Sequence, residues 1–285
     1  MSDMLTAVTE SAYGKINLYL DVLGKRPDGY HNIQSVMHTV SLCDTVTVRW
    51  HPTDRTMTCT DPTLTCGNDN LCLKAANAFW AALDRRDGCR IHLDKKLPRE
   101  AGLGGGSADA AAVLRALNRL TFFPFTTEAL CGIGAKIGAD VPFCVTGGAS
   151  LAEGIGDCLS DVPSLPPCYL VISGGIGSMS TPEAYRRIDL LPPSRIGNYP
   201  AFACALASGN LAEIGRTLYN RFEDAVPSAS VVKTILCNNG AAGALMTGSG
   251  TAVFGLFASR ASAEVACQAL VRESLSAFLC EPMIC

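Results

Sequence analysis

The chain has 285 residues, 48% hydrophobic and 17% charged, which excludes a disordered polymer and gives enough length for one large domain or two modest ones. A net charge of −3 excludes a broadly basic nucleic-acid surface, so any nucleotide must be held by a local positive site. No stretch is long and apolar enough to span a bilayer, and the first residues do not pair a basic region with an apolar one, so a cytoplasmic protein without membrane or nucleic-acid partners is expected.

The fourteen cysteines show no C-x-x-C spacing and the four histidines do not cluster with them, which argues against a structural zinc. Cys131, Cys144, Cys168, Cys204 and Cys267 fall in apolar runs, where a reduced thiol acts as a small hydrophobe.

In chain order, Ile16, Leu18, Leu20 and Val22 alternate with Lys15, Asn17, Tyr19 and Asp21, the period of a half-buried strand with Lys15 and Asn17 on one face. The run Gly24-Lys25-Arg26-Pro27-Asp28-Gly29 turns the chain. Alternation returns at Thr45–Trp50 and Cys89–Leu93, and Asp69 is the expected cap of a helix from about Leu71 to Leu83. Past Leu97-Pro98 come Ala101-Gly102-Leu103-Gly104-Gly105-Gly106-Ser107-Ala108, then a helix with Val113, Leu114, Leu117 and Leu120 on one stripe. A helix from Thr127 to Ile137 is expected to close at Gly138 and lead to Asp140-Val141-Pro142-Phe143.

Pro163, Pro166 and Pro167 then connect to an apolar strand at Tyr169–Ile172. Strands near 243–246 and 252–257 and helices near 182–188, 208–219, 227–238 and 261–277 complete a second unit. Strands mixed with helices without a strict βαβ rhythm indicate an α+β fold, divided into residues 1–157 and 158–285.

The order strand, glycine run, helix carries the chemistry. A helix N-terminus presents unpaired amides, and glycines let those amides close on phosphate oxygens. The dipole contributes only about 0.3–2 kcal/mol, whereas micromolar binding needs about 8 kcal/mol, so several amides, a metal and contacts to the base must share the work. The Lys-Ser/Thr pair of a Walker A loop is absent after the last glycine, and Ser107 breaks the dinucleotide fingerprint. A merely structural glycine turn is the bland alternative.

The segment Pro98-Arg99-Glu100-Ala101-Gly102-Leu103-Gly104-Gly105-Gly106-Ser107-Ala108-Asp109 resembles the phosphate loop of the GHMP kinases. Lys15-Ile16-Asn17-Leu18, Asp28-Gly29-Tyr30-His31, Gly138-Ala139-Asp140-Val141-Pro142-Phe143 and Thr247-Gly248-Ser249-Gly250-Thr251 resemble other motifs of that family, in the family's order. The triple glycine and the Tyr30-His31 segment are typical of members that act on 4-diphosphocytidyl-2-C-methyl-D-erythritol.

The resemblance implies an N-terminal domain like the second domain of ribosomal protein S5, a ferredoxin-like C-terminal domain, and phosphorylation of that substrate's 2-hydroxyl by Mg-ATP in the non-mevalonate isoprenoid pathway. It implies Asp140 as base or orienting group for the hydroxyl and Lys15 as the cation beside it, against the bland reading of a structural ion pair. It further implies that Pro98–Ala108 and Asn70 hold ATP and that Ser107 helps position Mg²⁺. Asn17 would touch the acceptor polyol, Tyr30 and Tyr185 would stack on cytosine, His31 would bond its edge, and Thr181 would line the same subsite.

Two departures stand out: Ala108 replaces a usual second serine, and Tyr13-Gly14 replaces Pro-Ala. Asn220 and Glu223 fit a further family signature without an assigned role. The rival readings are a homologous kinase for homoserine, mevalonate or a sugar, a related decarboxylase, or a nucleotide-binding protein without activity. Monomer and homodimer both remain open.

Overall fold

A computed structural model describes residues 6–174, 176–177 and 179–284. The chain divides into two compact units, each made of three chain segments. The first comprises Met1–Gly14, Cys43–Leu97 and Gly104–Gly147; the second comprises Lys15–Leu42, Pro98–Leu103 and Gly148–Cys285.

In the first unit, β3 (Arg55–Cys59) runs parallel to β4 (Gly88–Asp94). β4 pairs antiparallel with the later half of β2 (His31–His51), with Thr45 opposite Asp94. Four helices pack with these strands: α1 (Leu71–Ala82), α2 (Gly105–Leu120), α3 (Thr127–Ala135) and α4 (Val141–Thr146). Val46, Val48, Ile91 and Leu93 form one core with Phe79, Trp80, Leu114, Leu117 and Val141. The expected stripe of α2 is buried, and so is the run Ala108–Ala112, so this helix is enclosed nearly all round. Alanines suit that place, since a small side chain lets neighbouring elements approach closely at no rotamer cost.

In the second unit, β7 (Tyr169–Ser173) lies between β11 (Phe278–Cys280) and β10 (Val253–Phe257), and β9 (Gly243–Met246) is the outer strand beyond β10. All of these pairs are antiparallel. Helices α8 (Ala229–Asn238) and α9 (Arg260–Arg272) bury Val232, Leu236, Ala263, Ala266 and Leu270 in a core with Val171, Val253 and Phe257. The earlier half of β2 pairs with β5 (Ala149–Glu153), which pairs with β6 (Cys158–Asp161). The later half of β1 (Ala7–Lys25) runs parallel to the short β8 (Tyr219–Asn220). Three more helices, α5 (Thr181–Leu190), α6 (Tyr199–Ser208) and α7 (Leu211–Thr217), and a 3-10 turn at Arg221–Ala225 complete the unit.

The α+β class is as expected, and several local readings change. β1 is not half-buried: Ile16 and Leu18 are enclosed on one face, and Lys15, Asn17 and Tyr19 are enclosed on the other. The polar face is covered because its groups bond one another and Tyr19 packs among Tyr199, Phe202 and Tyr219. Asn70, not Asp69, caps α1, its side chain accepting from the Cys72 amide at 2.9 Å. α3 stops at Ala135 with Lys136 as its cap, so Gly138 is not the terminator. Cys204 is exposed rather than a core hydrophobe, whereas Cys168 is buried as expected.

Candidate active site

The glycine segment changes unit between Leu103 and Gly104. On the second-unit side three carbonyls tie it down. The Ala101 carbonyl accepts from the Ala252 amide at 3.1 Å, and that of Leu103 from the Lys15 amide at 2.9 Å. The Gly102 carbonyl accepts from Thr247 Oγ1 at 3.5 Å. Gly102 has φ +80°, and a Cβ there would lie 2.1 Å from the Thr247 carbonyl oxygen. Only glycine fits.

On the first-unit side Gly104, at φ 67°, is the N-cap of α2 and supplies no side chain to bond the first amides. Those amides, on Gly105, Gly106 and Ser107, have no carbonyl four residues back within the helix and form an anion-attracting end.

Thr247 is the hub of the second-unit network. Its Oγ1 accepts from the Asn17 amide at 2.9 Å and lies 3.3 Å from Asn17 Oδ1. Asn17 Oδ1 also accepts from Lys15 Nζ at 2.6 Å, while its Nδ2 donates to Ser35 Oγ at 2.8 Å. Ser35 Oγ donates in turn to the Tyr19 carbonyl at 2.9 Å. Lys15 and Asn17, each 4% exposed, are thus one hydrogen-bonded unit, as their shared strand face implied. Such burial fixes an ammonium head far better than a solvated surface does.

Asn220 and Glu223 acquire a role here. Asn220 Nδ2 donates to the carbonyls of Met246 (2.7 Å) and Gly248 (2.9 Å), and Glu223 Oε1 accepts from the Met246 amide at 3.0 Å. Together they hold the turn that carries Thr247.

Asp140 lies in the first unit, just ahead of α4, a helix with Pro142 in its first turn. Its carbonyl accepts from the Cys144 amide at 3.0 Å, and its side chain makes no capping hydrogen bond to the helix. Asn70, by contrast, spends its carboxamide locally: Oδ1 caps α1, and Nδ2 donates to the Thr65 carbonyl at 2.8 Å.

The base-recognition candidates gather in the second unit. Tyr30 is 63% exposed, with its amide donating to Asp28 Oδ1 at 3.1 Å, so the turn presents an open ring. His31 is buried; its Nε2 lies 2.7 Å from Asp189 Oδ1, and its ring stacks on Tyr185 at 4.6 Å and 23°. A carboxylate only accepts, so Nε2 carries the proton, and in the neutral ring Nδ1 is left as the acceptor. Hydrogen bonds from Lys25 and His31 hold the Asp189 carboxyl below its ordinary range. Tyr185 also meets Phe222 edge-on at 4.8 Å. One of its faces is therefore given to His31. Thr181, at the start of α5, bonds Ser249 at 2.9 Å and so joins that helix to the third glycine motif.

Reading the sequence did not single out Lys95, Asp44, Asp109 or Asp189. Lys95, 7% exposed, lies 2.5 Å from Asp44 Oδ2 and 2.8 Å from Asp109 Oδ2. Burial disfavours its charge, but the two carboxylates outweigh that and hold the ammonium above the usual lysine value. Burial pushes Asp109 up to about 7, against the pull of Lys95 and with Asp44 adding to the rise. The available signal was an acid set inside an alanine run on a helix that buries almost every other side chain.

Residues 70–148 match the GHMP kinases N terminal domain and residues 202–277 the GHMP kinases C terminal family. The chain belongs to the GHMP kinase family. It is 41% identical to the 4-diphosphocytidyl-2-C-methyl-D-erythritol kinase of Gloeobacter violaceus, over 95% of this chain and 92% of that one. It is 39% identical to the enzyme of the same name from Caldicellulosiruptor bescii, over 95% and 97%. A crystal structure of 4-(cytidine 5'-diphospho)-2C-methyl-D-erythritol kinase superposes with a TM-score of 0.81 at 32% identity, over 96% of this chain and 99% of that one. A homoserine kinase from Cytophaga hutchinsonii shares the fold at TM-score 0.77 and 20% identity, over 100% of this chain and 96% of that one.

Proposed function

We propose that this chain transfers the γ-phosphoryl group of ATP to the 2-hydroxyl of 4-diphosphocytidyl-2-C-methyl-D-erythritol, in the non-mevalonate route to isoprenoid precursors. The observation that carries this reading is identity of about 40% to enzymes of that name over nearly their whole length. The homoserine kinase shares the fold at half that identity. The two expected domains, 1–157 and 158–285, correspond in this reading to the nucleotide-binding and C-terminal halves of the family.

Phosphoryl transfer asks the protein for alignment and for charge neutralisation, with little covalent chemistry of its own. The amides of Gly104–Ser107 would receive the β- and γ-phosphates, with Pro98–Leu103 as the approach and Asn70 on the adenine side. Lys15, oriented by Asn17, would meet the charge of the moving phosphoryl group. Asp140 would accept or orient the 2-hydroxyl proton. Asn17 would hold the polyol through the same amide that orients Lys15.

Tyr30 would stack on cytosine, His31 would accept from the exocyclic amine through Nδ1, and Tyr185 would back the pair from the far side of His31, with Thr181 lining the subsite. An acceptor nitrogen at that point favours a base edge bearing an amine over one bearing a carbonyl, because the wrong edge would leave two acceptors facing each other.

Among the described residues no group of three His, Cys, Asp or Glu side chains could hold a metal. Ser107 Oγ, in the first turn of α2, would help hold a Mg²⁺ ion that binds mostly through substrate phosphates and water. Bound there, the ion would neutralise charge on the phosphate oxygens. The free thiols of the described cysteines suit a reducing, cytoplasmic setting.

A coupled assay of ADP release with Mg-ATP and 4-diphosphocytidyl-2-C-methyl-D-erythritol tests the whole reading. Turnover with homoserine or mevalonate, and none with the cytidyl substrate, would reject it. In the same assay Asp140→Asn is expected to lower turnover at least about a hundredfold while ATP still binds. Near-normal turnover would remove Asp140 from the mechanism.

A further inference from the structure

Lys95 stands one residue beyond β4, at the head of the glycine segment. Its ammonium bonds Asp44, which lies on β2, and Asp109, which lies fourteen residues on in the second turn of α2. Asp44 uses its remaining oxygen to accept from the amides of Lys96 (2.5 Å) and Leu97 (2.7 Å). One cation therefore joins the place where the segment leaves the sheet to the place where it has become helix. The ammonium also lies against the first turn of α2: a Cβ at Gly105 would come within 3.1 Å of Nζ and 3.6 Å of Leu97 Cβ. Asp109 Oδ1 is buried without a hydrogen-bond partner, while Oδ2 accepts from Lys95.

We infer that Lys95 is a positioning residue for the phosphoryl donor: clasped by Asp44 and Asp109, it closes residues 95–109 into a loop of fixed span and presets the amides of Gly105–Ser107 for a polyphosphate. The inference rests on the reading above that these amides bind ATP. A glycine-rich segment has many conformations to lose, and a loop ordered in advance spares the ligand that cost at the moment of binding. The same constraint explains the residue types. Lysine provides a compact point charge that fits between two carboxylates, where a planar guanidinium would need more room. Glycine at 105 leaves space for it.

The test compares Asp109→Leu with Asp109→Asn. Leucine cuts the clasp on the helix side but leaves Lys95 paired with Asp44, so no buried charge is stranded. Asparagine keeps an oxygen for Lys95. Asp109→Leu is expected to raise the ATP Kd by calorimetry, and the ATP KM, about tenfold, with the acceptor KM within about twofold. Asp109→Asn should recover most of that loss. A role in stability alone would lower the melting temperature and leave the ATP Kd in place, which would overturn the inference, as would parallel rises in both KM values.

Gly105→Ala serves as a second variant should Asp109→Leu fail to fold. It keeps every charge, sets a methyl against the ammonium, and should weaken ATP selectively; an unchanged ATP Kd there would also overturn the inference. If the wild-type chain binds no ATP, the nucleotide reading itself fails. If it binds and all three variants bind equally well, only the clasp fails.

Discussion

Gly102, Gly105 and Gly106 meet three different surroundings. A side chain at 102 would strike the Thr247 carbonyl, and one at 105 would press on Lys95. One at 106, an exposed position, would meet only Leu71 Cδ1, at 3.4 Å. Gly106 is therefore the position where ligand and fold can be separated. Gly106→Ala is expected to leave stability unchanged or raise it by up to about 1 kcal/mol, through a stiffer unfolded chain. It should also raise the ATP KM at least about tenfold, because the methyl crowds an amide that approaches phosphate. Thermal melts and initial rates on one preparation check both halves, and an unchanged KM would take that amide out of the cradle.

A second residue-scale expectation concerns pH. His38 is fully buried, its Nδ1 bonding the Thr39 carbonyl at 2.8 Å and its Nε2 accepting from the Leu165 amide at 3.1 Å. Burial holds its folded-state value below that of a free histidine, with the Thr39 carbonyl opposing. The unfolded chain then binds more protons below about pH 6.5, so this contribution is complete above that pH and fades as acid is added. Melting temperature should fall from pH 7 to pH 5, and less steeply in His38→Asn. Equal slopes would clear His38.

At the scale of elements, Asn220 closes three contacts at once: the carbonyl of Met246 at the end of β9, that of Gly248 in the turn beyond it, and the Phe222 amide at the 3-10 turn. Asn220→Ala leaves these buried groups unpaired and should cost about 2–4 kcal/mol, seen as a lower urea midpoint with an unchanged m-value. It should also raise the KM values, since the turn carries Thr247. A midpoint within experimental error of wild type would show the turn to be held by other means.

The sequence was easiest to read where an element has one wet face or an unambiguous boundary. β9, bounded by Gly243 and Met246, is found as expected, α1 and α8 are found within two residues of their expected ends, and α2 buries the expected stripe. The earlier half of β2 was not legible, because Val36, Met37, His38, Thr39 and Val40 are all buried and no alternation survives. α4 and α6 each carry a proline in the first turn, which reads as a loop in a linear scan although it suits a helix start. The motif residues were legible as a set. Their partners were not: Asp189 lies 158 positions from His31, and Thr247 lies 230 from Asn17. No local pattern reports a contact made only by folding.

Over the whole molecule, the thirteen described cysteines are free thiols. Burial pushes Cys89 up to about 11 and Cys168 and Cys280 up to about 12, so each is a neutral, unreactive thiol at physiological pH. Cys158, Cys204 and Cys237 are exposed. Alkylation of the native protein with peptide mapping should mark these three first, and early labelling of Cys89 or Cys168 would mean that the core opens readily.

The way the chain is parcelled between its two units bears on any attempt to take the protein apart. The second unit draws on Lys15–Leu42 and Pro98–Leu103 as well as on everything after Gly147, whereas the first is finished by that residue. Scission after Gly147 would leave the downstream piece without the strand that β5 zips onto at Ser35–His38 and without the neighbour of Tyr219 and Asn220. Leu20 would be missing from its core as well. Raw strand edges of that kind invite clumping. A gene split there should give a downstream product that is insoluble by itself and is rescued only when the upstream piece is made beside it.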